Sequence, residues 1–111
     1  MFIGERESSP YWEFNVSPNG DWNIYKLSDY RSDLKPDIEY QGLDGVINNT
    51  AGHFELKLVF PLPTDLQESQ TIEVAICAVI QLKQGPISYW ALNHGGPEAD
   101  FHRRDGFVLG L

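Results

Sequence analysis

Cysteine and basic residues are scarce in this chain, and long apolar runs are missing. Cys77 stands alone, which excludes an intrachain disulfide and any multi-cysteine metal site. It falls in the apolar run Val74–Ile80 and reads as a buried, inert thiol. Eight Lys and Arg face sixteen Asp and Glu, for a net charge of −8. The excess is even: residues 1–40 and 41–111 each hold eight acids and four bases. A surface of that sign repels phosphates and anionic headgroups, which argues against nucleic-acid and membrane partners. No stretch approaches the ~20 apolar residues of a bilayer span. The opening MFIGERESSP has neither the basic flank nor the apolar core of a secretory signal, so a cytoplasmic location is expected.

Helical periodicity is also absent, whereas strand signals run the length of the chain. The 111 residues fit one domain, and 13% aromatics favour strands over helices. Tyr11–Val16 alternates, with Trp12, Phe14 and Val16 on one side and Tyr11, Glu13 and Asn15 on the other. Ser17-Pro18-Asn19-Gly20-Asp21 is turn chemistry, and Trp22–Leu27 alternates again. Ser28–Pro36 reads as a polar loop and Asp37–Tyr40 as a weak strand. A glycine-punctuated stretch follows. His53–Leu62 predicts a strand with Phe54, Leu56, Leu58 and Phe60 on one face. Thr71–Leu82 is apolar on both faces and predicts one long central strand. Ile87–Leu92 and Phe107–Leu111 predict the last two. Antiparallel strands with turns between them predict an all-β sandwich. Its first strand, Phe2–Gly4, is short for an exposed edge, and a second copy covering that edge would give a homodimer.

Recognition chemistry concentrates at two places. Tyr11, Glu13 and Asn15 project from one strand face, with Trp22 and Tyr25 across the turn. An aromatic ring stacks on the apolar face of a sugar, and Asn with Glu supplies paired donors and acceptors for its hydroxyls. On the same strand, Trp12 and Phe14 read as core. The second place is Tyr89–Pro97 followed by Asp100–Asp105. Here Trp90 is a stacking platform, and His94 and His102 close a loop over the sandwich mouth as hydrogen-bonding contacts. The spacing of His94, Asp100 and His102 matches no standard metal site. Arg103-Arg104 between two aspartates reads as a local ion-pair turn.

Catalytic signatures are missing: there is no nucleophile elbow, phosphate loop or Cys–His pair. The chain resembles the bacterial DOMON-like domain proteins, relatives of the family 9 carbohydrate-binding modules. The resemblance rests on Tyr11–Trp22 (YWEFNVSPNGDW), Tyr25, Tyr30-Arg31, Ser88–Leu92 (SYWAL) and Asp100–Phe107 (DFHRRDGF). It implies an immunoglobulin-like or jelly-roll sandwich that binds sugar or haem without catalysis. Family domains begin with several strands before the Tyr-x-Glu-Phe element, so the resemblance implies a domain short of its first strands. Haem needs Met/His or His/His axial ligands, and here the candidates are Met1, His53, His94 and His102. No such pair follows from their positions, so no cofactor is expected. The sequence therefore predicts a sugar-binding module using Glu13, Asn15, Trp22, Trp90, His94 and His102. A haem-binding domain and a dimerising structural module are the alternatives.

Overall fold

The alternating segments on either side of the Asn19-Gly20 turn form an antiparallel hairpin. A computed structural model describes all 111 residues. Strands β1 (Phe2–Glu5), β2 (Tyr11–Val16), β3 (Trp22–Leu27) and β4 (Lys35–Pro36) are followed by β5 (Asp44–Thr50) and β6 (His53–Val59). Then come β7 (Ile72–Ala75), β8 (Cys77–Gln81), β9 (Ile87–Ala91) and β10 (Leu109–Gly110), with 3-10 turns at Thr64–Leu66 and Arg104–Gly106. Gly20 takes φ 91° at the β2–β3 turn, a left-handed conformation that favours glycine. The Ser17 hydroxyl accepts from the Asn19 and Asp21 amides at 3.3 and 3.1 Å and fixes the loop.

The main sheet has six strands in the order β10-β7-β1-β2-β3-β4, each neighbouring pair antiparallel. β5–β6 and β8–β9 are separate two-stranded hairpins. The fold is all-β with antiparallel sheets, and no helix is long and apolar enough to cross a membrane. Strand parity divides the apolar residues between the two faces of the main sheet. The first face carries Ile3, Trp12, Phe14, Ile24, Ile72 and Val74, closed by Tyr40, Leu66 and Phe60. Tyr40 seals this side by donating to the Pro61 carbonyl at 2.7 Å, and Trp12 Nε1 donates to Asp37 at 2.7 Å. Burial, with Asp37 and Glu39 nearby, pushes the Tyr40 phenol up to about 12. The second face carries Phe2, Tyr11, Leu27 and Ala75, capped by Phe107 and Phe101. Burying one large apolar side chain stabilises by roughly 1.5–3 kcal/mol, so both faces contribute to the fold.

Five expectations are corrected here. β1 is not an edge, because β2 and β7 flank it; the outer strands are β10 and β4. The glycine-punctuated stretch contains β5, and its partner β6 supplies the backbone bonds that its polar side chains do not advertise. Asp37–Tyr40 is a turn rather than a strand. Thr71–Leu82 is two strands that switch sheets at Ile76: β7 pairs with β1 and β10, while β8 pairs with β9. The last strand shortens to Leu109–Gly110 because a 3-10 turn takes its start.

Gly4 has a second role on the central strand. The Arg104 guanidinium lies directly over it, and a Cβ at that position would overlap Nη1. Arg104 also donates to the Glu5 carbonyl and stacks 4.6 Å from the Phe107 ring centroid. Its Nη1 is buried without a partner, and burial holds the guanidinium below its ordinary pKa.

Candidate functional site

β2 runs toward the β2–β3 turn with Tyr11, Glu13 and Asn15 in line on the second face. Tyr11 is fully buried at the inner end, so the expectation that this whole row faces a ligand is corrected: Tyr11 is core. Its hydroxyl accepts the Arg31 amide at 3.1 Å and meets His102 Nδ1 at 2.9 Å. A phenol that accepts an amide proton has its own proton left for Nδ1, which places the imidazole hydrogen on Nε2. Nε2 faces the Glu13 carboxylate at 3.9 Å. Asn15 Nδ2 then donates to Glu13 and to Asn23, both at 2.9 Å. Tyr11, His102, Glu13, Asn15 and Asn23 thus form one polar row from the core to the sheet surface.

A second cluster abuts it. The turn Asp29–Ser32 is closed by an isolated bridge, and Arg31 takes φ 49°, a left-handed conformation uncommon for a residue with a side chain. That conformation aims its amide at Tyr11 while the guanidinium pairs with Asp100 at 2.9 Å. Tyr30 donates its hydroxyl proton to the other Asp100 oxygen, and the His102 amide donates to Asp100 at 3.2 Å. Burial raises the Asp100 pKa, but the bonds from Tyr30, Arg31 and the His102 amide outweigh it, so the carboxyl sits below its ordinary value. Between these residues and the segment Gly96–Asp100 opens a cleft of about 370 Å³, lined by Tyr30, Arg31, Gly96, Pro97, Glu98, Ala99, Asp100 and Arg103. Its far wall is tied down by an ion pair between Arg103 and Asp105 at 2.6 Å and by Asn93 donating to the Asp105 carbonyl at 2.9 Å. Gly95 and Gly96 leave room for that ion pair, since a Cβ on either would press on Asp105 or Arg103.

The structure brings together three of the six expected ligand residues, Glu13, Asn15 and His102. The other three stand apart. Trp22 pairs with Val16 and therefore lies on the first face, across the sheet from Glu13 and Asn15. Trp90 is 61% exposed on β9, on the strand face opposite Tyr89, and donates to Ser88 at 3.0 Å. His94 is exposed and stacks on Phe101 at 6.0 Å. Tyr30 and Arg31 were absent from the expected set. The signal for them was slight: a polar Ser-Asp-Tyr-Arg-Ser-Asp loop with no glycine to mark its left-handed turn. No group of three or more His, Cys, Asp or Glu is arranged to hold a metal ion. Of the candidate haem ligands, Met1 packs against the first-face core, His53 begins β6, and His102 is engaged by Tyr11.

Burial holds the His102 imidazole below its ordinary value, with Glu13 pulling the other way. The unfolded chain takes up a proton near pH ~6.5, before the folded one does. The stability contributed by neutral His102 is complete above that pH and is lost as pH falls through the depressed folded value. The corresponding contribution of Asp100, whose ordinary pKa is ~3.9, is lost only at lower pH. Thermal melts followed by circular dichroism should show Tm falling from neutral pH toward pH ~5, and His102→Gln should flatten that fall. A wild-type Tm that is constant over the range contradicts this role for His102.

No protein-family model matches the chain, and no curated protein or solved structure matches it either.

Proposed function

We propose that the protein is a non-catalytic binding module for a small, neutral, polyhydroxylated molecule, a sugar in the first instance, held in the cleft between Tyr30-Arg31 and Gly96–Asp100. The observation that carries the reading is the balanced lining: two arginines, Arg31 and Arg103, stand against two carboxylates, Glu98 and Asp100, beside an exposed Tyr30 ring. Both arginines are already paired, Arg31 with Asp100 and Arg103 with Asp105, so the lining does not draw in an anion. Fixed donors and acceptors next to an aromatic face suit hydroxyls and the C–H face of a sugar ring. The cleft falls in the size range of small-ligand sites, about 300–1,000 Å³. The motif resemblance to sugar-binding sandwich modules supports the same class. A second cleft lies between Lys26, Lys35, Asp33 and Asp37. It lacks aromatic lining, and Lys26 is already committed to Asp65 at 2.5 Å and to the Trp12 ring at 5.0 Å.

Calorimetric titration with a panel of neutral mono- and disaccharides tests the proposal. Binding is expected with millimolar to micromolar Kd, about −4 to −8 kcal/mol. Asp100→Ala and Tyr30→Ala should each weaken it by about tenfold or more, a loss of ~1.4 kcal/mol. Trp22→Ala and Trp90→Ala should leave it unchanged, since neither ring lines the cleft. An empty panel, or binding indifferent to Asp100 and Tyr30, defeats the proposal.

A further inference from the structure

β8 and β9 form a hairpin whose side chains outnumber the protein available to cover them. One face meets Phe101 only through Cys77 and Tyr89 at its inner end, and its Val79, Ile87 and Tyr89 are themselves 58%, 46% and 52% exposed. The other presents Ile76, Ala78 and Ile80 alongside Trp90 and Leu92, all of them exposed. Ile76 is 48% exposed, Ile80 46%, Trp90 61% and Leu92 57%. Leu92 donates its amide to the Ile76 carbonyl at 3.3 Å, so the five side chains lie on one continuous two-stranded plate. Isolated two-stranded hairpins are marginal in water, and an apolar plate of this kind on a charged protein marks an association surface.

We infer that this plate is the interface of a homodimer, packed against the same plate of a second copy across a two-fold axis. Area supplies the first argument. A compact monomer of 12.6 kDa exposes about 6,200 Å². This chain exposes 7803 Å², about 1,600 Å² more than that scaling gives. Its radius of gyration is 14.6 Å, against about 13 Å for a compact chain of this length. A standard interface takes about 800 Å² from each partner, which the excess accommodates. Charge supplies the second argument. Between Glu73 and Glu98 there is not one acid, and Lys83 is the only base, in a chain carrying sixteen acids. A net charge of −8 opposes self-association everywhere except where the acids are missing. A two-fold axis brings each surface against itself, so it requires a patch free of like charge, and this plate is one. Tryptophans often dominate such interfaces, and Trp90 lies on this face opposite Ala78, between Ser88 and Leu92.

Sedimentation equilibrium and light scattering on the full chain test the inference. At micromolar concentration the wild type should run at twice 12.6 kDa. Trp90→Lys and Ile80→Lys should each weaken dimerisation about 30-fold or more, with unchanged far-ultraviolet circular dichroism because both side chains are already exposed. Trp22→Lys, on another sheet, should remain dimeric. A wild type that stays monomeric, a dimer indifferent to both hairpin changes, or an open-ended ladder of oligomers overturns the inference. Should either lysine variant lose its fold, Leu92→Ser supplies the milder disruption, and a dimer that survives it counts against the interface.

Discussion

Replacing Tyr11 with alanine should cost about 3–5 kcal/mol of stability, the range for deleting a large buried ring. Few side chains in the molecule are as completely enclosed. Its ring touches Phe2, His102 and Phe107, at centroid distances of 6.2, 6.0 and 5.8 Å, so the deletion opens a cavity in the second-face core. It also strands two polar groups, the Arg31 amide and His102 Nδ1. Tyr11→Phe separates the two effects: it keeps the packing, loses the hydroxyl and should cost about 1–3 kcal/mol. Urea unfolding of the pair reads both numbers. Domains are stable by only about 5–15 kcal/mol, so the alanine variant should lose a large share of its stability. Equal losses for the two variants would show that the hydroxyl, not the ring, carries the contribution.

Phe14→Ala should cost a similar ~3–5 kcal/mol, through a different part of the molecule. Phe14 is 2% exposed and packs 4.5 Å from the Phe60 ring and 5.5 Å from Tyr40. Phe60 directly follows β6, so this ring is a principal anchor of the β5–β6 hairpin on the main sheet. Hydrogen exchange should therefore show faster opening of Asp44–Val59 than of β2 and β3 in the variant. Phe14→Leu, which refills most of the space, should recover much of the loss. Uniform loss of protection throughout the chain would mean that the hairpin and sheet unfold as one unit.

How much of this was legible in the sequence depended on whether the signal was local. β2 and β3 were read with their observed ends, because alternation and an Asn-Gly turn act over neighbouring residues. β5 was missed because Asn48, Asn49 and two glycine-flanked turns carry no apolar alternation; its partner strand defines it. The β7–β8 break at Ile76 was invisible because both segments are apolar on both faces, and only the change of partner separates them. The parity of β2 correctly placed Glu13 and Asn15 together. The same reasoning carried across the turn would have put Trp22 on the other face, opposite Val16. His102 was singled out, but its bond to Tyr11 spans 91 positions, and no local pattern encodes it. The Tyr30–Arg31–Asp100 cluster has the same character, with partners about seventy residues apart.

The central position of β1 has a kinetic consequence. Phe2 pairs with Ala75, and Leu109 pairs with Val74, so the middle of the sheet waits for residues made near the end of translation. The β2–β3 hairpin closes a short loop and can form within about 1–10 μs, while β1 and β7 must search across most of the chain. All-β topologies dominated by such distant pairings fold in milliseconds to seconds. During that interval β2 can cover one edge of β1, but the edge that β7 takes is bare, and it is open to other chains. Refolding yield should therefore fall with protein concentration more steeply than stability alone would dictate.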